Sequence, residues 1–455
     1  MKTRINFKDE FYQKLKLLVL PIAIQNFMLA LVSATDAIML GWIDQTSLSA
    51  VSLAGQVQFV LSLFISGIAA GAGIMAAQYW GKQDAASIEK VIPIALRTNL
   101  LFSGLFTILA GFCPEMLMRI FTNDAALVAS GSQYLRAVAL SYVLCGISQV
   151  YLILLKNTGH AAVSSRISST AVVLNIILNA ILIYGLCGAP ALGIRGAAYA
   201  TVAARVVELI WAYLETKKPE RVRILWNRLF SSAGKILSED FWRYTLPVLA
   251  ASLVWGIAYV LYSVIMGHMG SDAVAANSIT SIAKSLLSCL IRGVSGGAGV
   301  LIGNLLGANE LEKAREYGRR LSHLSIAIGI VTGGLLMLIS PAIVHFAPLS
   351  DTAAEYLQYM LLFCGLNLMA QSVNTTVLDG IFCAGGDAKF DMQGNIGAMW
   401  CFSVPLGFLA AFWLKLPVMV VYCIVNLDEI VKLPAVYHHY KKYIWVRNIT
   451  RDIED

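Results

Sequence analysis

An aspartate lies inside the first long apolar run of the sequence. Asp36 follows LALVSAT and precedes AIMLGW, so its carboxylate is expected well inside a helix that crosses a lipid bilayer. A charge at such a depth is unfavourable by about 2.5–3.5 kcal/mol on insertion scales and usually faces a cavity or a partner. Asp36 is therefore a candidate site that binds a cation or takes up a proton. The alternative is a carboxyl group satisfied by neighbouring hydroxyls.

Two asparagines in a later apolar run carry polar groups on one helical face. Asn175 and Asn179 are four residues apart, so their amide groups point towards a common place. Thr201 adds a hydroxyl group from the next apolar run. Taken alone, such a pair of asparagines also serves as a hydrogen-bonding contact between membrane helices.

The second half of the sequence carries buried charges of a different kind. Lys284 and Arg292 are eight residues apart in one apolar run and share a helical face, while Asp379 lies in a later run. The two cations either pair with Asp379 or with carbonyl groups, or they contact a substrate. Two buried cations would also repel sodium from this half.

Aromatic residues in the apolar runs suit a cavity for flat, apolar cations, which stack on aromatic rings. The candidate cavity residues are Tyr151, Trp255, Tyr259 and Tyr262, together with Lys284, Arg292 and Asp379.

The composition excludes a soluble protein. The 455 residues are 58% hydrophobic and 13% charged, whereas soluble chains carry about 25% charged residues. The net charge of +7 does not indicate nucleic-acid binding, because the basic residues form short clusters between apolar runs. The eight cysteines include no C-x-x-C pair and imply no metal site or disulfide framework.

Apolar runs long enough to span a bilayer as helices predict an all-α membrane protein with twelve transmembrane helices. The predicted spans are 15–41, 53–80, 91–112, 132–155, 164–186, 194–215, 244–267, 277–305, 321–346, 355–384, 392–414 and 416–438.

Basic residues between the spans predict the orientation. Of the 34 lysines and arginines, 25 lie on the side of the termini and four on the opposite side. Positively charged loops stay in the cytoplasm, so both termini are expected there. The predicted organisation is an N-terminal six-helix lobe at 1–215, a cytoplasmic linker at 216–243, a C-terminal six-helix lobe at 244–438 and a cytoplasmic tail at 439–455.

The two halves are internal repeats. An offset of 226 residues aligns Pro21 with Pro247 and Gly41 with Gly267, and it aligns the run Gly71-Ala72-Gly73 with Gly297-Ala298-Gly299. Each half has an even number of spans, so the copies enter the membrane in the same direction, as a parallel repeat. A cavity between the lobes is expected from this arrangement.

Three segments resemble the multidrug and toxic compound extrusion (MATE) family of cation-coupled exporters. The first is the opening pair of spans, LVLPIAIQNFMLALVSATDAIMLGWIDQTSLSAVSLAG. The second is LNIILNAILIYGLCGAPALGIRGAAYATVAAR at 174–205, which is similar to the family's fifth and sixth spans. The third is GAGIMAAQYWGKQDA at 71–85, echoed by GAGVLIGNLLGANEL at 297–311.

The resemblance implies an antiporter that exports amphipathic, cationic organic compounds or drugs by alternating access, with H+ or Na+ as coupling ion and no other cofactor. It places Asn175, Asn179 and Thr201 around Asp36 as the coupling site, which would also hold Na+, and it makes Pro21 the point at which the first helix bends. Asn179 stands where some members carry a second aspartate. The expected form is a monomer among the lipids of a bacterial-type inner membrane.

Two other functions compete with this one. A lipid-linked saccharide flippase of a related class would use Lys284 and Arg292 to meet phosphates. An intramembrane enzyme would use aspartates as catalytic acids, but CAGGDA at 383–388 lacks the first glycine of the Gly-x-Gly-Asp protease motif. There is also no H-E-x-x-H sequence for zinc, so the chain is not expected to be an enzyme.

Overall fold

The computed structural model describes residues 9–41, 45–224, 226, 229, 234–347 and 349–452. Parts of the predicted linker, at 225, 227–228 and 230–233, lie outside the described residues. The described chain is built from helices and contains no β-strand.

The described residues of the first half contain seven α-helices. They are α1 (Glu10–Gly41), α2 (Gln45–Gly81), α3 (Ala85–Phe112), α4 (Pro114–Arg119), α5 (Ala125–Leu155), α6 (Ala161–Tyr184) and α7 (Ile194–Thr216). Aspartate side chains begin two of these helices: Asp84 accepts from the backbone N–H of Ser87 at 2.9 Å, and Asp124 accepts from that of Ala126 at 2.8 Å.

The second half starts with four long helices and ends with shorter ones. They are α8 (Lys235–Gly267), α9 (Ser271–Gly307), α10 (Leu311–Phe346), α11 (Asp351–Thr375), α12 (Ala388–Asn395), α13 (Val404–Phe408), α14 (Val418–Val425) and α15 (Asp428–Tyr440). Three π-helical segments, Thr376–Phe382, Ile396–Ser403 and Leu409–Trp413, connect or extend α11, α12 and α13.

Ten helical segments of the described chain are long and apolar enough to cross a membrane. One of them, Ala125–Tyr184, includes the predicted span 132–155 and the predicted span 164–186 as far as Tyr184. It is broken between α5 and α6, where Gly159 has a φ of 81° that glycine adopts without strain. The predicted span 416–438 is not one continuous helix, because Asn426 leaves helical geometry between α14 and α15.

The chain forms two compact units. One contains the described residues up to Asn26 together with Ala250–Asp452, and the other contains Phe27–Leu249. The boundaries fall inside α1 and α8, a few residues after Pro21 and Pro247. The predicted lobes divide the chain by the order of the spans, whereas these units are defined by contacts between residues. The first part of α1 therefore belongs to the unit built mainly from the second half of the sequence, and the first part of α8 belongs to the unit built mainly from the first half.

Glycines explain which helices approach within each unit. A Cβ atom on Gly67 would lie 2.9 Å from Leu249 Cα, and one on Gly71 would lie 2.7 Å from Thr245 Cα. In the other unit, a Cβ on Gly293 would lie 2.9 Å from Ala23 Cα, and one on Gly297 would lie 2.8 Å from Val19 Cγ2. Only small residues allow such close packing. Both pairs of contacts are related by the offset of 226 residues that aligns the repeats.

The segment after α15 packs against the second half of the chain. The fully buried Trp445 ring lies against Gly318 of α10. Arg447 donates to the carbonyl oxygens of Gly385 and Gly386, each at 2.9 Å. The predicted tail at 439–455 is therefore, as far as the described residue 452, a packed segment of this unit.

Candidate functional site

Asp36 lies in the last part of α1, next to α6. Asn179 Nδ2 donates a hydrogen bond to Asp36 Oδ1 over 2.6 Å. Near the end of the same helix, the Tyr184 hydroxyl donates to the carbonyl oxygen of Met39 at 2.7 Å. Helix α6 thus holds the end of α1 through one carboxylate contact and one backbone contact.

A row of hydrogen bonds continues from Asp36 into α6 and α7. Asn179 Nδ2 also lies 3.4 Å from Asn175 Oδ1. Asn175 Nδ2 donates to Thr201 Oγ1 at 3.3 Å, and the Thr201 hydroxyl donates to the carbonyl oxygen of Ala197 at 3.0 Å. The structure therefore brings together the four residues predicted to form the coupling site.

The polar groups of this row are neutral except for Asp36. Asn179 is fully buried, and its Oδ1 atom has no hydrogen-bond partner. No ion pair of the described residues includes Asp36, and no described cation acts on it. Among the described residues the negative charge on Asp36 is therefore met by the Asn179 amide, and the buried Oδ1 of that amide can accept another group.

The second half does not pair Asp379 with Lys284, which was one of the predicted alternatives. Lys284 Nζ instead donates to Asn367 Oδ1 in α11, over 3.0 Å. Asn367 and Asp379 are twelve residues apart, about 18 Å along a helix, so one ammonium cannot reach both. Asp379 is exposed, as is Arg292, and the described residues form no ion pair between them, although Arg292 acts electrostatically on Asp379.

The predicted cavity aromatics have different surroundings. Tyr151 is fully buried in a hydrophobic cluster, and its hydroxyl accepts a hydrogen bond from Trp226 Nε1 at 2.7 Å. The rings of Trp255 and Tyr259 stack with centroids 5.5 Å apart, and Tyr259 is 43% exposed. Tyr262 and Trp255 both pack against a buried cluster formed by Ala258, Met399 and Val404. Exposed aromatic surface is therefore found at Tyr259, while Tyr151 belongs to a packed core; the cavity itself stays a prediction.

Charged side chains three or four residues apart form ion pairs in two helices. Arg205 pairs with Glu208 at 2.5 Å, three residues apart in α7. Lys432 of α15 pairs with Glu429 at 3.2 Å and with Asp428 at 3.5 Å.

Sequence reasoning missed the polar groups that surround the second pair. Asn395 Oδ1 accepts from Lys432 Nζ at 3.1 Å, and Asn395 Nδ2 donates to Asp391 Oδ1 at 3.2 Å. Asn374 Nδ2 donates to Glu429 Oε2 at 2.8 Å. The spacing of Asp391 and Asn395, four residues apart at the start of a predicted span, was the available signal.

Comparison with known proteins extends these observations. The MatE family model matches residues 21–181 and again 247–409, and the two matches begin at the prolines that the internal repeat aligns. The uncharacterized transporter YisQ of Bacillus subtilis is 21% identical over 94% of this chain and 93% of its own length. A probable multidrug resistance protein NorM of Thermotoga maritima is 24% identical over 90% of this chain and 87% of its own length.

Solved structures share the fold. A MOP superfamily transporter from Pyrococcus furiosus superposes with a TM-score of 0.86 at 20% identity, over 98% of this chain and 99% of that chain. The Vibrio cholerae MATE transporter VcmN also gives 0.86, at 15% identity, over 96% of this chain and 99% of that chain.

The all-helical fold and the apolar spans define a multi-pass membrane protein. The two matches cover more than half of the chain, which therefore belongs to the MatE family of multidrug efflux transporters. Members of this family are transporters, so the intramembrane enzyme considered from the sequence is excluded.

Proposed function

We propose that this protein is a cation-coupled antiporter that exports amphipathic, cationic organic compounds by alternating access, with H+ or Na+ taken up at Asp36. The observation that carries the proposal is the contact of the Asp36 carboxylate with Asn179 at 2.6 Å, in a row of neutral groups on which no cation of the described residues acts. A carboxylate placed in an apolar helix without a counter-charge gains most from a soluble cation or a proton. The charge of the site then depends on whether an ion is present.

The donor set suits both coupling ions. For sodium, the available ligands are oxygens: the carboxylate of Asp36, the unpartnered Oδ1 of Asn179 and the hydroxyl of Thr201. For a proton, the carboxyl group of Asp36 is itself the acceptor. Its neutral neighbours can form hydrogen bonds with both the charged and the uncharged form. The two ions are therefore distinguished by experiment and not by the residues.

Helix α1 links the coupling residue to a second part of the molecule. Asp36 belongs to the unit formed by Phe27–Leu249, while Pro21 in the same helix belongs to the other unit. Proline lacks a backbone N–H and weakens the helix at that point. We infer that a change of charge at Asp36 is accompanied by bending of α1 near Pro21, which releases the exported compound.

The proposed membrane arrangement follows the basic residues. Twelve spans, in two six-helix lobes related by a parallel repeat, leave both termini in the cytoplasm, as the 25 basic residues on that side support. The bacterial relatives support a cytoplasmic (inner) membrane as the location. We expect the protein to work as a monomer surrounded by lipid.

The decisive experiment imposes proton and sodium gradients separately on vesicles that contain purified protein. Export of a fluorescent organic cation should follow one of the two gradients in the wild type. Asp36→Asn should abolish coupled export while the protein still folds, because the amide keeps size and polarity but cannot carry the charge. Thr35→Val is the matched control: Thr35 is the neighbouring residue, and its hydroxyl donates to Leu31 O of its own helix, at 2.9 Å, with no hydrogen bond to the other described residues of the Asp36 row.

Full gradient-driven export by Asp36→Asn would refute the proposed coupling site. Movement of a lipid-linked saccharide, without dependence on either gradient, would favour the flippase instead.

A further inference from the structure

Lys432 lies in a cage of oxygen atoms inside the second half of the chain. Its ammonium group contacts Asn395 Oδ1 at 3.1 Å, Glu429 Oε1 at 3.2 Å and Asp428 Oδ2 at 3.5 Å. The residue is only 5% exposed. An ammonium group has three N–H donors and no acceptor, so three oxygens of three different residues match its hydrogen-bonding capacity.

The cage is held from outside by other side chains. Asn374 donates to Glu429 Oε2 at 2.8 Å and to the backbone carbonyl of Glu429 at 2.7 Å. Asn374 is 1% exposed and its Oδ1 atom has no partner. Asn395 is oriented by the hydrogen bond that it donates to Asp391. Two of the three cage residues, Glu429 and Asn395, are thus positioned by contacts that do not involve Lys432.

The charges around the cage are close to balance. The acids are Asp428 and Glu429 in α15, Asp391 in α12 and Asp379 in the π-helical segment after α11. Besides Lys432, Lys284 of α9 acts on Asp428 and Glu429, and Arg292 of α9 acts on Asp379. Removal of the Lys432 charge would leave adjacent carboxylates without their nearest cation, which is strongly unfavourable in a buried place.

We propose that the Lys432 ammonium occupies a site for a small monovalent cation, formed by Asp428, Glu429 and Asn395. The cation of this site is then a side chain of the protein itself and not an ion from solution. An ammonium group and a potassium ion are similar in size and charge, and carboxylate and amide oxygens bind either. Na+ or K+ should therefore bind in the cage once the ammonium is removed. The inference does not depend on the coupling role proposed for Asp36.

The test measures thermal unfolding of purified protein in sodium, potassium or choline chloride at equal ionic strength. All variants carry Asp36→Asn, so that an ion at Asp36 does not contribute. In this background the identity of the salt should not change the midpoint. With Lys432→Ala added, Na+ or K+ should raise the midpoint by about 2 °C or more relative to choline, because a ligand stabilises the folded state that binds it.

Two controls separate the cage from general effects of charge. Addition of Glu429→Gln to Lys432→Ala restores the balance of charge and should abolish the response to the metal ions. Lys284→Ala in place of Lys432→Ala should give no response, because Lys284 contacts a single amide oxygen. An equal midpoint for Lys432→Ala in all three salts would overturn the proposal, as would an equal response of the Lys284→Ala control.

A failure to fold is also informative. If Lys432→Ala cannot be purified in choline but can be purified in Na+ or K+, the proposal is supported. If Lys432→Ala and Lys432→Gln fail in all three salts while Lys432→Gln with Glu429→Gln succeeds, no soluble ion replaces the ammonium and the proposal is wrong.

Discussion

The two halves of this transporter hold buried carboxylates in opposite ways. In the first half, Asp36 contacts the neutral Asn179, and the described residues around it supply no cation. In the second half, Asp428 and Glu429 contact the ammonium of Lys432. A site without its own counter-charge responds to ions in solution, whereas a site that contains one does not need them. Duplication of a fold therefore does not imply duplication of its chemistry.

The largest effect that tests this comparison is a change in affinity for the coupling ion, which is expected when a residue next to Asp36 is replaced. Asn179→Ala removes a hydrogen bond to a charged group, worth about 1.5–3 kcal/mol, and should change the affinity for the coupling ion roughly ten- to hundred-fold. Na+ should bind more weakly because it loses the Asn179 Oδ1 ligand, whereas a proton should bind more tightly because the carboxylate has lost its hydrogen-bond donor. Asn175→Ala and Thr201→Ala remove neutral bonds, worth about 0.5–1.5 kcal/mol, and should have smaller effects. The measurement is export rate against pH and sodium concentration in vesicles.

This ranking follows from direct contact with the carboxylate, which only Asn179 makes among the three. Equal changes in ion affinity for Asn175→Ala and Asn179→Ala would show that the whole row of hydrogen bonds matters, and not only the contact of Asn179 with Asp36.

A smaller effect, on stability, compares equivalent glycines of the two repeats. In Gly71→Ala the new Cβ would lie 2.3 Å from Thr245 Oγ1 and 2.7 Å from Thr245 Cα. In Gly297→Ala it would meet the movable Val19 Cγ2 at 2.8 Å, with the nearest backbone atom, Val19 N, at 3.4 Å. Overpacking costs about 1–3 kcal/mol, so Gly71→Ala should lower the thermal midpoint more than Gly297→Ala.

Gly55→Ala is the control for this pair, because Gly55 lies in the same helix as Gly71 and a Cβ atom added there would have no neighbour within 4 Å. It should leave the midpoint unchanged or raise it slightly. A loss of stability in Gly55→Ala similar to that of Gly71→Ala would mean that close packing is not the cause.

The smallest effect on coupling is expected at Asp379. The side chain is exposed and forms no ion pair with another described residue, so Asp379→Asn should change the range of exported compounds or the stability. The dependence of export on pH and sodium should stay close to that of the wild type. If that dependence is lost, as expected for Asp36→Asn, coupling involves both halves. The proposed difference, in which only the first half responds to the coupling ion, is then wrong.

Much of the molecule was predictable because lipid imposes simple rules. Apolar runs of sufficient length had to be helices, since a bilayer leaves backbone groups no other partner. The residues of the row from Asp36 to Thr201 were noticeable because polar side chains stand out in apolar segments, and the resemblance to the MATE family predicted that they lie together. The contacts of Asp391 and Asn395 were not, since their role depends on Lys432, which lies 37 residues beyond Asn395 in the sequence and contacts it at 3.1 Å.

The sequence by itself determined the helical membrane fold and the internal repeat, because span length and the 226-residue offset are properties of the chain alone. It also placed Asn175 and Asn179 on one helical face, while their position near Asp36 was predicted from the resemblance to the MATE family. Only the tertiary structure decided which charges meet. Lys284 contacts Asn367 and not Asp379, and Lys432 contacts an amide of another helix as well as its own carboxylates. An ammonium group reaches only the oxygens that packing brings within about 3 Å, and helical spacing does not specify which helices are neighbours.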